Sequence, residues 1–556
     1  MRTERPGVRS SRRRAVEDRA VAWLAARRAL LDPRSARPDS VLFTRKALIE
    51  TAFLAGLRAR LDEAPLKDDY ASILEQVEDV AREPSYREMI ARDESALLLY
   101  AGTYAALRLC GRDAPEFERI VRQAVEGGYA AAFERVPYRQ LDLLHTLYLC
   151  GIEHDLSPMD DVLPFSLLCR RPNVLKLADR DVYAITHTIF YVTDFGLREP
   201  VWPREFHPGE AVELLEALLV LAEARTNADL VGELLCCLYC LGVGESRATE
   251  RAWAFLESVQ EDNGRVNGPE GVLHPGTDAG DSDFRHWAEG YHTTIVAALA
   301  GLLERSPRRR TQSPPSPPAE NVLLRAPLRH AVMWLCDASP EQDRRSGLAG
   351  VTAAAVGASA IREHDLARPS LERCAADLAD ASPAFWQQQG MEIAGEFALA
   401  LRRAEIHCPS LDAHLKATAD AVASFESIPA DIAAGVHRLI GLGVLSRSVA
   451  SAIPRQNRHR EPRLYPLHAA VSLCEARESY HLGQLAATLR TLVQDGWGHH
   501  RITRDAVSFL VAQQNTGGAF GYPAFDDRTA RRKAQFSWTR SAVIALAAAA
   551  TTGPTD

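Results

Sequence analysis

Strand-like alternation and Asn-Gly hairpin turns are nearly absent from this sequence of 556 residues, which argues against a sheet-based fold. Also absent are the Gly-x-Ser-x-Gly elbow, the Gly-x(4)-Gly-Lys-Ser/Thr phosphate loop and a Gly-x-Gly-x-x-Gly turn after a strand, so a serine hydrolase, a coupled NTPase and a dinucleotide enzyme are disfavoured. No apolar run reaches the roughly 18 residues of a membrane span. The longest uncharged stretch, Ser346 to Ile361, is built of Gly, Ala, Ser and Thr and reads as a close-packed buried helix. With a net charge of −8, composition forces no basic surface, and nucleic acid is not an expected partner. Arg2, Arg5, Arg9, Arg12, Arg13 and Arg14 are not followed by an uninterrupted apolar segment, so no secretory signal is expected. Ten scattered cysteines, with Cys236, Cys237 and Cys240 on an apolar segment, suit reduced, buried thiols in a cytoplasmic protein.

What the sequence does contain is helical periodicity. Apolar residues make up 46% and charged residues 25%, ordinary for a globular chain with a sizeable core. In Ala211 to Ala224, Val212, Leu214, Leu215, Leu218, Leu219 and Leu221 recur at helix spacing beside Glu213 and Glu216. The expectation is an all-α protein of many helices joined by short, Pro- and Gly-punctuated loops. Residues 305 to 321 carry Arg308 to Arg310 and a Ser-Pro-Pro run with no packing face, and read as a linker or exposed loop. The chain then divides into a basic tail, 1–14, a helical domain, 15–304, that linker, and a second helical half, 322–556.

An internal repeat connects the two halves. Trp253 to Gly264 ends one helix in a Gln260 and Gly264 turn, and Tyr291 to Leu299 opens the next. Ser508 to Gly521 ends another in Gln514, Gly518, Phe520 and Gly521, and Trp538 to Leu546 opens its successor. Glycine suits a helix end that turns to positive φ, and glutamine there can bond the free carbonyls.

Leu510, Gln514, Gly518, Phe520 and Gly521 resemble the Gln-and-aromatic repeats of terpene cyclases and protein prenyltransferases, which implies an α/α toroid or a toroid-like helical repeat. Tyr291-His292-Thr293-Thr294 followed by Ala298 to Leu302 is similar to the helix that supplies a zinc-binding His in protein prenyltransferase β subunits. The Asp-x-Cys pair of that zinc site, the Asp-x-Asp-Asp acid of proton-initiated cyclases and the Asp-rich motif of type I synthases do not occur, and no metal or other cofactor is expected. The segment Tyr183 to Gly196 resembles an uncharacterised actinobacterial family.

Candidate chemistry centres on that segment. At 100° per residue, Val182, Ile185, Ile189 and Val192 fall on one side of a helix, and Tyr183, His187, Phe190, Tyr191 and Asp194 on the other. His187 and Asp194 could exchange protons there, with Tyr191 completing a catalytic group and Tyr183 and Phe190 as substrate-facing walls. The same residues also suit a structural role, with Asp194 capping the helix and His187 packed between helices. His292 and Tyr291 form a second group with Asp278, Asp281, Asp283 and His286 nearby in sequence; a core histidine beside Val296, Leu299 and Leu303 is the alternative for His292. Asp495-Gly-Trp497-Gly-His499-His500-Arg501 could add a polar lip. The function expected is an enzyme-like toroid that holds an apolar or isoprenoid-like small molecule in a helical cavity, as in bacterial secondary metabolism. The rivals are a non-catalytic repeat protein that binds a partner polypeptide, and an (α/α)-barrel enzyme acting on carbohydrate.

Overall fold

The computed structural model describes residues 6–36, 40–62, 66, 68–204, 206–269, 282–306, 324–423 and 465–551. The fold is all-α: among the described residues no strand forms, and the sole β pairings are two isolated bridges. The chain packs as two compact units, Met1–Ser316 and Pro317–Asp556. Residues 307–321, most of the expected linker, and residues 1–5 of the expected tail lie outside the described residues.

The first unit's helices of seven residues or more are α1 (Pro6–Ala26), α2 (Val41–Leu61), α3 (Asp68–Arg82), α4 (Leu97–Leu109), α5 (Pro115–Glu126), α6 (Pro137–Cys150), α7 (Asp179–Val192), α8 (Pro208–Ala224), α9 (Ala228–Cys240), α10 (Arg247–Val259), α11 (Ser282–Ala288) and α12 (Tyr291–Arg305). Proline opens α5, α6 and α8 at the first helical position, where its missing N–H costs no hydrogen bond. Asn227 caps α9 by accepting from the Leu230 N–H at 3.1 Å, and Ser246 caps α10 by accepting from Thr249.

The packing order of these helices is cyclic. α2 packs on α4, α4 on α6, α6 on α7, α7 on α9, α9 on α12, and α12 returns to α2. Other helices of the unit cover them: α1 lies on α12, α3 on α2 and α4, α5 on α4, and α8 and α10 on α9. Before α7, short 3₁₀ turns at Leu163–Phe165, Leu168–Arg170 and Val174–Lys176 replace a covering helix. α9 is buried along its whole length, as a helix flanked on several sides must be. α1 and α12 approach closely at Gly301, where a Cβ would stand 2.8 Å from the Glu17 Cβ.

The second unit contains α13 (Arg325–Ala338), α14 (Arg344–Ala360), α15 (Arg368–Asp377), α16 (Pro383–Arg403), α17 (Pro409–Ala423), α18 (Leu467–Glu478), α19 (Leu482–Gln494), α20 (Arg501–Val511) and α21 (Arg528–Thr551). α14, which contains the Ser346 to Ala360 part of the uncharged stretch, packs on α13, α15, α16 and α21, and α19 packs on α18, α20 and α21.

The two glycine turns have one construction. Gln260 Nε2 donates to the Val16 carbonyl and the Gly264 carbonyl, both at 3.0 Å, and Gln514 Nε2 donates to Pro327 and Gly518, both at 2.9 Å. The Val266 N–H donates to the Thr294 hydroxyl and the Phe520 N–H to the Thr539 hydroxyl, each at 2.9 Å. Gly264 and Gly518 adopt φ of +97° and +95°. A Cβ at Gly264 would collide with the Arg19 carbonyl, and one at Gly518 would lie 2.6 Å from the His330 carbonyl oxygen.

A polar cluster in the first unit

The segment Asp179–Val192 is α7, and its two faces divide as its periodicity requires. Val182, Ile185, Ile189 and Val192 are buried, while Tyr183, His187 and Tyr191 keep partial exposure. The helix stops earlier than its polar face suggests. Asp194, Phe195 and Gly196 take left-handed φ values of 48°, 52° and 85°, and the Phe195 N–H closes the end on the Phe190 carbonyl at 2.9 Å.

This turn carries Asp194 to partners from other helices. Its buried carboxylate accepts from both terminal guanidinium nitrogens of Arg60 on α2, one at 2.7 Å, and lies 2.9 Å from Nε2 of His145 on α6. Burial alone would raise its pKa, but the His145 and Arg60 contacts outweigh it and hold the carboxyl below its usual range. Tyr191 stands between this group and His187, its ring 5.5 Å from His145 and 5.9 Å from His187, with Asp142 near its hydroxyl. Burial and the Asp142 charge push the Tyr191 hydroxyl well above the usual tyrosine pKa, so it stays protonated.

His187 faces a different set of residues. Its Nδ1 lies 2.8 Å from the Tyr183 carbonyl, 3.3 Å from the Thr186 hydroxyl and 3.7 Å from Glu233 Oε2. A carbonyl can only accept, so Nδ1 carries the hydrogen, and neutral His187 keeps its lone pair on Nε2. The rings of Tyr138, Tyr183, Phe190 and Tyr191 stand 5.9 to 6.4 Å from the imidazole.

Glu233 joins His187 to His292. On α9, Asp229 and Glu233 are one turn apart and share a face. His292, the second residue of α12, has Nδ1 3.2 Å from Glu50 Oε2, and Nε2 3.8 Å from Asp229 Oδ1 and 3.6 Å from Glu233 Oε1. Tyr291 donates to Glu50 at 2.9 Å, Tyr183 to Asp229 at 2.6 Å, Thr293 to Asp229 at 2.9 Å, and Thr186 to Glu233. Lys46 pairs with Glu50 at 3.3 Å. Burial opposes the charge on His292, but the nearby carboxylates of Asp229, Glu50 and Glu233 raise its pKa well above the ordinary value. Burial also opposes the Glu50 charge, and Lys46 and His292 overcome it, so that carboxyl is held low. His292 keeps 30% of its side-chain surface and Glu50 25%, whereas Asp229 and Glu233 keep 3%. In this polar cluster His292 and Glu50 stay in partial reach of water, and the two carboxylates are buried.

The structure thus brings Tyr183, His187, Tyr291 and His292 into one network, with Phe190 and Tyr191 beside His187 and Asp194 on Arg60 and His145. Asp283 is exposed on α11, and Asp278 and Asp281 lie outside the described residues. Val296 and Leu303 pack along α12 as expected, but the His292 ring sits among carboxylates of α2 and α9. Glu50, Asp229, Glu233, Lys46, Arg60 and His145 were not expected in a site. One signal was available: two carboxylates a single turn apart on the otherwise apolar segment Ala228–Cys240 need compensation if that helix is buried. Among the described residues, Asp229, Glu233 and His292 bring one ligand atom each within 4.8 Å of one another. No curated protein and no solved structure matches the chain. A family model does match, over residues 17–302, a span that includes every residue of the polar cluster and all of the cyclically packed helices but the last three residues of α12. The chain belongs to the family described as a domain of unknown function, DUF6895.

Proposed function

We propose that the first unit is an α/α toroid whose interior recess binds a small molecule and performs acid–base chemistry on it. The observation that carries this reading is the convergence of Glu50, His187, Asp229, Glu233 and His292 from four helices that pack in cyclic order. Such a cycle gives each helix an inner face that cannot be filled by a neighbour, and polar side chains there serve a ligand better than they serve stability. The aromatic rings around His187 suit an apolar portion of that ligand, isoprenoid-like in character, and the carboxylate and imidazole floor suits a polar head. His187 is the proton acceptor through Nε2, with the Tyr183 and Tyr191 rings as walls beside it. Asp194 fixes the end of α7, and through it the pitch of His187 and Tyr191, by its bonds to Arg60 and His145.

Native mass spectrometry of the protein from its own host, followed by thermal shift with any ligand released, tests the reading. The expected result is a copurifying small molecule that raises the melting temperature of wild type and does so less for His187→Ala. An empty protein that also gives no shift with a screen of isoprenoid and aromatic compounds would reject it.

A further inference from the structure

We propose that Asp229, Glu233 and His292 bind one divalent first-row transition ion, of the zinc or manganese class, on the floor of the recess. The inference deepens the recess reading, since the ion would face the same ligand, but the binding itself can be tested with no small molecule present.

The spacing is the first argument. Distances of 3.6 and 3.8 Å from His292 Nε2 to the two carboxylates exceed a hydrogen bond. They are close to the separations that ligands adopt when each stands about 2 Å from a shared ion. Orientation is the second. Glu50 holds Nδ1 of His292, leaving Nε2 toward Asp229 and Glu233, the carboxylate–histidine–metal order that fixes a ligand ring. Tyr183 and Thr293 grip Asp229, and Thr186 grips one oxygen of Glu233, which leaves the other toward His292.

Charge is the third argument. The carboxylates of Glu50, Asp229 and Glu233 gather around His292 while Lys46 pairs with Glu50, and a divalent cation suits so acidic a cluster. The imidazole nitrogen of the set favours zinc and the two carboxylates also admit manganese, whereas magnesium and calcium prefer ligand sets of oxygen alone. Three protein ligands leave a coordination position for water or a substrate oxygen, as catalytic sites do and four-ligand structural sites do not. The missing Asp-x-Cys pair therefore excludes only a prenyltransferase-type ligand set.

Full-length protein stripped with chelator and titrated calorimetrically with zinc, manganese and magnesium decides the matter. Expected are close to one zinc or manganese ion per chain, weak or no magnesium binding, and at least a tenfold loss of affinity in Asp229→Asn, Glu233→Gln and His292→Gln. Thr186→Val, which touches no ion, should lose about tenfold through misorientation of Glu233. Circular dichroism confirms that each variant is folded, and a variant that is not is replaced by Asp229→Glu, which lengthens the ligand while keeping its charge. Wild type that binds neither ion, or binding unchanged in all three ligand variants, overturns the proposal. If that happens while a small molecule still stabilises the protein through His187, the metal inference falls and the recess reading stands.

Discussion

Beneath Gly264 runs the Arg19 carbonyl, and beneath Gly518 runs the His330 carbonyl; around each glycine the same glutamine, the same backbone bridge and the same threonine recur. The correspondence is longer than the turn. Thr226 and Tyr480 both take a φ of 54°, Gly242 and Gly496 both turn to positive φ, and Ser246 and His500 both cap the next helix. Each pair, from Thr226 with Tyr480 to Val266 with Phe520, is separated by the same number of residues, so the two segments align without a gap. In that alignment Asp229 and Glu233 correspond to Gly483 and Ala487. Through the Thr294 and Thr539 pair, His292 corresponds to Ser537. The backbone design is duplicated and the polar cluster is not. What is common to both units is what the hairpins need in order to pack; what only the first has is costly to bury, and packing alone does not call for it.

The largest effect should come from the shared element. Gly264→Ala and Gly518→Ala each force a side chain into a left-handed conformation against a carbonyl, and each should cost about 3 kcal/mol. Calorimetric unfolding should show the loss in both variants. A large loss in one with near-neutrality in the other would break the equivalence of the two turns.

The next effect belongs to the first unit alone. Asp194→Asn removes the charge between Arg60 and His145 and should cost about 2 kcal/mol at neutral pH, less than a fully buried pair because Arg60 is partly exposed. The pH dependence follows from the direction of the shift. A carboxyl held below its unfolded pKa contributes stability that is fully present above that value and is lost as pH falls through the folded pKa. Wild type should therefore lose more stability than Asp194→Asn between pH 5 and acid, and the two melting curves should converge. Parallel curves would mean that Asp194 does not anchor α7 by its charge.

How much of this was legible depends on how far apart the cooperating residues lie. The two turns could be read because each uses a local signal: a glycine four residues after a glutamine, with the bond between them inside the same segment. The faces of α7 could be read because periodicity is local too. The polar cluster could not, because His292 meets Glu50 and Asp229 through the packing of α12 on α2 and α9, and nothing in one helix encodes which neighbour it receives. Asp194 illustrates the same limit: a helical wheel continued through Val192 sets it beside His187, but the left-handed turn at Asp194 and Phe195 carries it toward Arg60 and His145 instead.

Removing a threonine from each turn gives a finer test of equivalence. Thr294→Val and Thr539→Val keep shape but leave the buried N–H of Val266 or Phe520 without its 2.9 Å partner, at a cost of about 1.5 kcal/mol each. Chemical denaturation should return similar losses in the two variants, and unequal losses would show that the units support the turn differently.

The smallest effect concerns the cap at the start of the helix that bears the floor of the recess. Asn227 accepts from Leu230 N at 3.1 Å and His481 Nδ1 from Gln484 N at 3.0 Å, so the duplicated position keeps its function while changing its side chain. Asn227→Ala should cost about 1 kcal/mol, and His481→Ala rather less, since an exposed imidazole is a weaker cap than a buried amide. Asn227 also donates to Asp179 at 3.2 Å, which ties the start of α9 to the start of α7. Its loss should therefore loosen the Tyr183 to Asp229 bond, whereas nothing comparable depends on His481. Hydrogen exchange at the amides of α7 separates the two contributions. Faster exchange there in Asn227→Ala, beyond what the lost cap explains in α9, would show that the cap also positions the recess; unchanged exchange in α7 would reduce Asn227 to the same local role as His481.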